Sequence, residues 1–181
     1  MNQRVNEALA FIDGVRTELY QVLDSMSQEQ LDFKGNPEVW TPGEVFHHLY
    51  VVEKGLPKLY AMLLQKAESE GLTPGGPGPE VIASLDQYNL DVVTSRHKAP
   101  ERVLPASGVS KEDLKSLLEG SRKAMHEVLS GVGEYDLTGL KWPHPLLGDI
   151  DFYQWIIFVG KHEKRHMSQL REIADMPGYP S

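Results

Sequence analysis

The sequence predicts an all-α protein built as a four-helix bundle. Three observations predict it. Apolar residues recur at the 3.6-residue helical period in four long segments. Capping signals stand where several of those segments begin. No stretch of any length alternates apolar and polar residues as a half-buried strand would. No break in composition divides the 181 residues, so residues 1–181 read as a single domain with room for one real core.

The first helix is expected over residues 3–25, with Val5, Leu9, Ile12, Leu19 and Leu23 on one stripe. Arg16 falls on the same stripe. Its stem is expected to pack while its head reaches solvent; the sharper alternative is an anion-binding group facing a pocket. The second helix starts at a clear signal, with Thr41 as cap, Pro42 at the first helical position and Glu44 closing a capping box. Its pattern runs to about Glu70, and Pro57 should kink or divide it. Residues 73–79 (TPGGPGP) and 99–108 are loops by composition, and residues 80–97 carry a weak helical pattern. Ser110 with Asp113 opens another helix, whose apolar side is Leu114, Leu117, Leu118, Met125 and Leu129. A connection rich in Pro and Gly follows. Asp149 or Asp151 then caps the last helix, which runs to about Ala174.

The bulk properties narrow the function. A formal charge of −8 argues against broad nucleic-acid binding, which needs a basic stripe. No run approaches the roughly 18 apolar residues of a membrane span, and the charged N-terminus is unlike a signal peptide. Neither nucleic acid nor membrane is therefore an expected partner, and a cytoplasmic location fits. With no cysteine, disulfides and thiolate metal ligands are excluded.

The last helix carries His162-Glu163-Lys164-Arg165-His166. Imidazoles at i and i+4 share one helix face, and the string matches the H-E-x-x-H zinc-peptidase signature. On a helical wheel Trp155, Val159, Leu170 and Ile173 define the buried stripe, and both histidines lie within about 20° of its centre. Two buried imidazoles need partners. They are either core histidines satisfied by neighbours or metal ligands. The peptidase's further ligand is missing downstream: Gln169 and Glu172 stand where the extended pattern needs Gly and His, and the remaining tail is short.

An additional ligand must come from upstream. On the second helix His48 lies about 60° from the centre of the stripe formed by Val45, Leu49, Val52 and Leu56, whereas His47 points about 160° away. His48 is thus the best third ligand. His97 and His126 read as solvent-facing. His144 precedes His162 by roughly 17 Å of helix and reaches it only if the loop doubles back. Three neutral imidazoles leave a coordination position open, a catalytic rather than structural arrangement. Such a set suits zinc, nickel, iron or cobalt.

Residues 40–49, W-T-P-G-E-V-F-H-H-L, together with W-P-H-P-L-L-G-D-I and F-V-G-K-H-E-K-R-H-M-S-Q-L near the C-terminus, resemble the motif helices of the DinB/YfiT-like family. The resemblance implies His48, His162 and His166 as metal ligands, an up-down-down-up bundle, and frequent homodimers. It also implies a metal-dependent enzyme of hydrolase type, or an S-transferase using a low-molecular-weight thiol.

The leading expectation is therefore a metal-dependent enzyme acting on a small molecule. The alternatives are a non-catalytic metal- or ligand-binding bundle and, further off, a metallopeptidase with Glu163 as base. Glu163 lies about 80° from the stripe centre and is expected to be solvated rather than to orient a ligand. Glu44 is expected to cap rather than to act as a base. Arg16, Tyr50 and Trp142 are candidates to line a pocket.

Overall fold

The computed structural model describes residues 2–71, 73–75, 78, 80–88, 90 and 99–181. Four long rods make up the bundle. Helix α1 spans Gln3–Ser25 and is capped by Asn2, whose side chain accepts from the Val5 amide. A short helix α2, Gln28–Leu31, follows under a Ser27–Gln30 capping box. The second rod is two helices, α3 (Pro42–Glu53) and α4 (Leu56–Glu70). The division falls where Pro57 requires it. Its ring lacks an N–H and would clash with the carbonyl four residues back, at Glu53. Helix α5 covers Lys111–Leu129 and α6 covers Phe152–Ala174, capped by Ser110 and Asp151.

Contacts at the ends give the directions. Lys111, opening α5, donates to the carbonyls of Asp24 and Met26 at the end of α1. Gly43, near the start of α3, lies against Leu31. Helices α3 and α5 therefore both begin where α1 ends. At the opposite end, Tyr60 of α4 packs on Phe152, the first residue of α6. There too Asn2 reaches Gly133, just beyond α5, and the Tyr153 hydroxyl of α6. The order is up, down, down, up, with α1 and α6 parallel neighbours.

Two features depart from the sequence reading. Residues 141–151 form a hairpin of β1 (Lys141–His144) and β2 (Gly148–Asp151), with His144 opposite Gly148. Four-residue strands containing Pro143 are too short to show a period of two, so alternation could not reveal them. Gly148 takes φ 72°, a conformation that glycine adopts without Cβ strain. In the weakly patterned 80–97 segment Ile82–Tyr88 form a 3₁₀ helix, and beyond them only residues 80, 81 and 90 are described; His97 lies outside the described residues. A second 3₁₀ turn, Glu101–Val103, sits within the 99–108 loop.

The core is cut in two. One apolar cluster holds Ile12, Leu56, Met125 and Val159; the other holds Leu19, Leu49, Leu118 and Met167. Between these pairs of neighbours in sequence stand Arg16, Glu53, Arg122 and Glu163, one from each rod and all buried.

Candidate metal centre

His48 is placed by α3, whose start is fixed by the Thr41–Glu44 capping box (Thr41 N to Glu44 Oε2 2.8 Å, Glu44 N to Thr41 Oγ1 3.1 Å). His162 and His166 project from successive turns of α6. Their ligand atoms and that of His48 lie within 4.8 Å of one another. The Nε2 atoms of His162 and His166 face each other at 3.0 Å. His48 is 4% exposed and His166 7%. The three rings meet edge to face, with centroids 4.5–5.2 Å apart.

The outer nitrogens settle which inner ones are free. Nδ1 of His48 lies 2.7 Å from the carbonyl oxygen of Val103, a pure acceptor, so Nδ1 carries the proton and Nε2 a lone pair. Nδ1 of His166 lies 2.8 Å from Oε1 of Gln169, with the same result. This is the outer arrangement that fixes tautomer and ring orientation in metal-binding histidines. The rings are also walled by aromatics: Trp40 lies against His48 and His166, and Phe158 stacks on His162.

Burial sets the charge state. It pushes the His166 imidazole down to about 3 and holds those of His48 and His162 below the usual histidine range, His162 far below, with the neighbouring imidazoles adding to the effect. With a lone pair on His166 Nε2, its 3.0 Å approach to His162 Nε2 needs a proton or a cation between them. Donor type, neutrality and the fixed tautomers of His48 and His166 fit a divalent cation.

The other expected residues fall elsewhere. Arg16 neither snorkels nor faces an open pocket. Its head is buried and donates to Glu163 (3.0 and 2.5 Å), Glu53 (2.8 Å) and the Leu118 carbonyl (2.7 Å). The expectation that Glu163 is solvated is overturned: the residue is 1% exposed. Its Oε1 also accepts from Arg122 (2.9 Å). Helix α6 is buried on more than one face, so an 80° offset from one stripe does not reach water. Arg122 further binds Glu53 (2.7 Å), which Ser121 also contacts. The two carboxylates and two guanidiniums balance, and both arginines hold Glu53 below its ordinary range against the opposing effect of burial.

Glu44, besides capping, takes Lys34 (3.0 Å) and Ser107 (2.6 Å). Tyr50 lies beside His47 and Lys54, away from the three histidines. Trp142 is exposed, and its carbonyl takes the Trp155 indole N–H. His126 is half-exposed and pairs with Asp13. His144, by contrast, is brought back by the hairpin, and its ring packs on Trp155 and Phe158.

Sequence reasoning missed Gln169, Val103, Arg122 and Glu53. Gln169 had a signal, three residues beyond His166 on the same helix. Arg122 and Glu53 had one too, as charges between apolar stripe positions. Val103 had none, because its backbone carbonyl does the work.

A three-histidine cluster between helices of an up-down-down-up bundle, with His48 and His166 buried and His162 partly so, defines a class of helical bundles with a candidate metal site. The chain belongs to the DinB superfamily, whose family model matches residues 12–170 and so spans all three histidines. It is 28% identical over 171 residues to YuaE of Bacillus subtilis (strain 168), an uncharacterised protein, covering 92% of this chain and 97% of that one. Among solved structures it resembles TT2238, a four-helix bundle protein (TM-score 0.62, 18% identity, 93% of this chain and 98% of that one). It also resembles YfiT from Bacillus subtilis, described as a probable metal-dependent hydrolase with an unusual four-helix bundle topology (TM-score 0.59, 14% identity, 99% and 91%). No described helix is long and apolar enough to cross a membrane.

Proposed function

We propose that this protein is a metal-dependent enzyme acting on a small molecule, with one divalent cation (zinc, nickel or iron) held by His48, His162 and His166. The observation that carries the reading is the convergence of three imidazole nitrogens within 4.8 Å, two of them with their outer N–H groups tied to Val103 and Gln169. A site built for structure alone would close its coordination with a fourth side chain, and no fourth His, Cys or carboxylate joins this cluster among the described residues.

When bound by His48, His162 and His166, a divalent cation would supply Lewis acidity, and a water or a low-molecular-weight thiol would thereby be nucleophilic near neutral pH. The reaction is accordingly hydrolysis or thiol S-transfer. YfiT's description favours the first. The peptidase reading loses its base, because Glu163 is sealed in the core, with Oε1 held by Arg16 and Arg122 and Oε2 closed off from solvent. A cytoplasmic homodimer is the setting we infer, from the composition and the family likeness.

The test is metal analysis of the purified protein beside His48→Ala and His162→Ala. We expect about one metal per chain, at least tenfold reduced in each variant. Undiminished metal in both variants would overturn the site. A thiol panel with an electrophilic acceptor, run beside ester and amide substrates, then separates transfer from hydrolysis.

A further inference from the structure

The hairpin between α5 and α6 holds a histidine that the three-ligand reading leaves unused. His144 is the last residue of β1. Its Nδ1 accepts the backbone N–H groups of Leu146 and Leu147, both at 3.2 Å. Two donors on one nitrogen require a lone pair there, so the proton of the neutral ring sits on Nε2. That Nε2 has no hydrogen-bond partner among the described residues and is not sealed from solvent. The turn therefore fixes the tautomer and leaves a single N–H donor unspent.

Its position is also fixed. The ring packs on Phe158 (centroids 4.5 Å) and Trp155 (5.2 Å). The same Phe158 stacks on His162 at 5.2 Å. One phenyl ring thus links His144 to the three-histidine cluster. Burial disfavours protonation of the His144 ring, and the positive charge of Arg102 acts in the same direction. Arg102 belongs to the 3₁₀ turn whose Val103 carbonyl orients His48. The segment carrying Arg102 is pinned over α3 by Val103 to His48, Ala106 to His47 and Ser107 to Glu44.

We propose that His144 Nε2–H and the Arg102 guanidinium form an anchoring subsite, beside the three-histidine centre, for the carboxylate of a small-molecule substrate. A neutral N–H donor and a guanidinium suit a two-oxygen planar acceptor. Ligands that are all neutral leave the cation's full charge to be met by an anion. A neutral imidazole kept as donor by its surroundings is a known way to hold or polarise an oxygen. The inference rests on the metal reading for where the rest of the substrate lies, but not for the state of His144.

The test uses the full chain, wild type, His144→Asn and Arg102→Gln, with acetate as the carboxylate probe. Asn retains an acceptor near the position of Nδ1 for the turn amides and removes the Nε2 donor. In the cobalt-loaded protein, acetate is titrated against the cobalt visible absorption. Cobalt stoichiometry should be unchanged in both variants. The acetate dissociation constant should rise about tenfold or more in His144→Asn and severalfold in Arg102→Gln, as expected for loss of a charge-assisted hydrogen bond. Equal acetate affinity in His144→Asn overturns the subsite. Loss of cobalt in that variant overturns it too, by making His144 a ligand. Nitrogen-15 imidazole spectra of the metal-free protein keep this separate from failure of the metal reading. They should show His144 protonated on Nε2 and shifting with acetate in wild type, with severalfold more acetate needed for the same shift in Arg102→Gln. Protonation on Nδ1, or no acetate response, overturns the proposal whether or not the protein binds metal.

Discussion

Arg16 of α1 and Glu163 of α6 are joined by two hydrogen bonds, at 3.0 and 2.5 Å, with both side chains buried in the middle of the bundle. Glu53 and Arg122 complete the set, one charge from each rod. Removing one member leaves its partners charged in a dry core. Glu163→Gln should therefore lower stability by roughly 3–5 kcal/mol, as measured for broken buried pairs. Urea denaturation reads this directly. A loss within 0.5 kcal/mol would mean that water reaches the layer and that the arginines do not depend on Glu163.

Gln169 tests how far the metal affinity depends on groups that never touch the metal. Its amide oxygen holds the Nδ1 proton of His166. Gln169→Leu should retain the helical circular dichroism and lose about 10–100-fold in zinc affinity, the usual effect of removing such a partner. Competition with a chelator dye measures it. Unchanged affinity would show that the ring is held by packing on Trp40 and His48 alone.

The metal-free protein should lose stability in mild acid. His166 is pushed down to about 3 and His144 to about 4, against about 6.5 in the unfolded chain. Between those values the unfolded state binds protons that the folded state refuses. Stability is thus fully present above about pH 6.5 and falls as pH drops toward 3–4, by up to roughly 1.4 kcal/mol per pH unit for each such group. Denaturation midpoints from pH 8 to pH 4 should show the slope, and His166→Phe should flatten it. A flat profile in the metal-free wild type would contradict neutral buried imidazoles.

The α1–α6 contact depends on Gly160. A Cβ there would meet Phe11 at 2.6 Å and the buried Ile12 at 3.2 Å. Gly160→Ala should cost about 1–3 kcal/mol despite the better helix propensity of alanine. Phe11→Leu in the same chain should recover much of the loss. Thermal melts of the single and double variants decide, and a stabilised Gly160→Ala would show that Phe11 swings away freely.

These residues also show what a sequence discloses. Helix α1 is legible to its end residues, because Val5 to Leu23 repeat at one period. The caps at Thr41, Ser110 and Asp151 and the break at Pro57 were legible for local reasons: each acts on backbone within a few residues. The meeting of His48 with His162 and His166 was legible because each points inward on its own helix and nothing else could pair with it. The burial of Glu163 is not legible, because a wheel with one stripe assumes one buried face and α6 is buried on several. The hairpin escaped because its strands are short, and the return of His144 with it.

One consequence follows from the contact between His48 and Val103. The orienting oxygen belongs to the main chain, so every residue placed at 103 presents the same atom. A scan of single substitutions would pass over this position as tolerant. Shortening or lengthening the 99–108 segment by one residue would instead slide the oxygen out of reach of the ring. The stretch that looks freest in its letters is thus the one whose length is most constrained, and relatives with the same chemistry should differ there in spelling and agree in count.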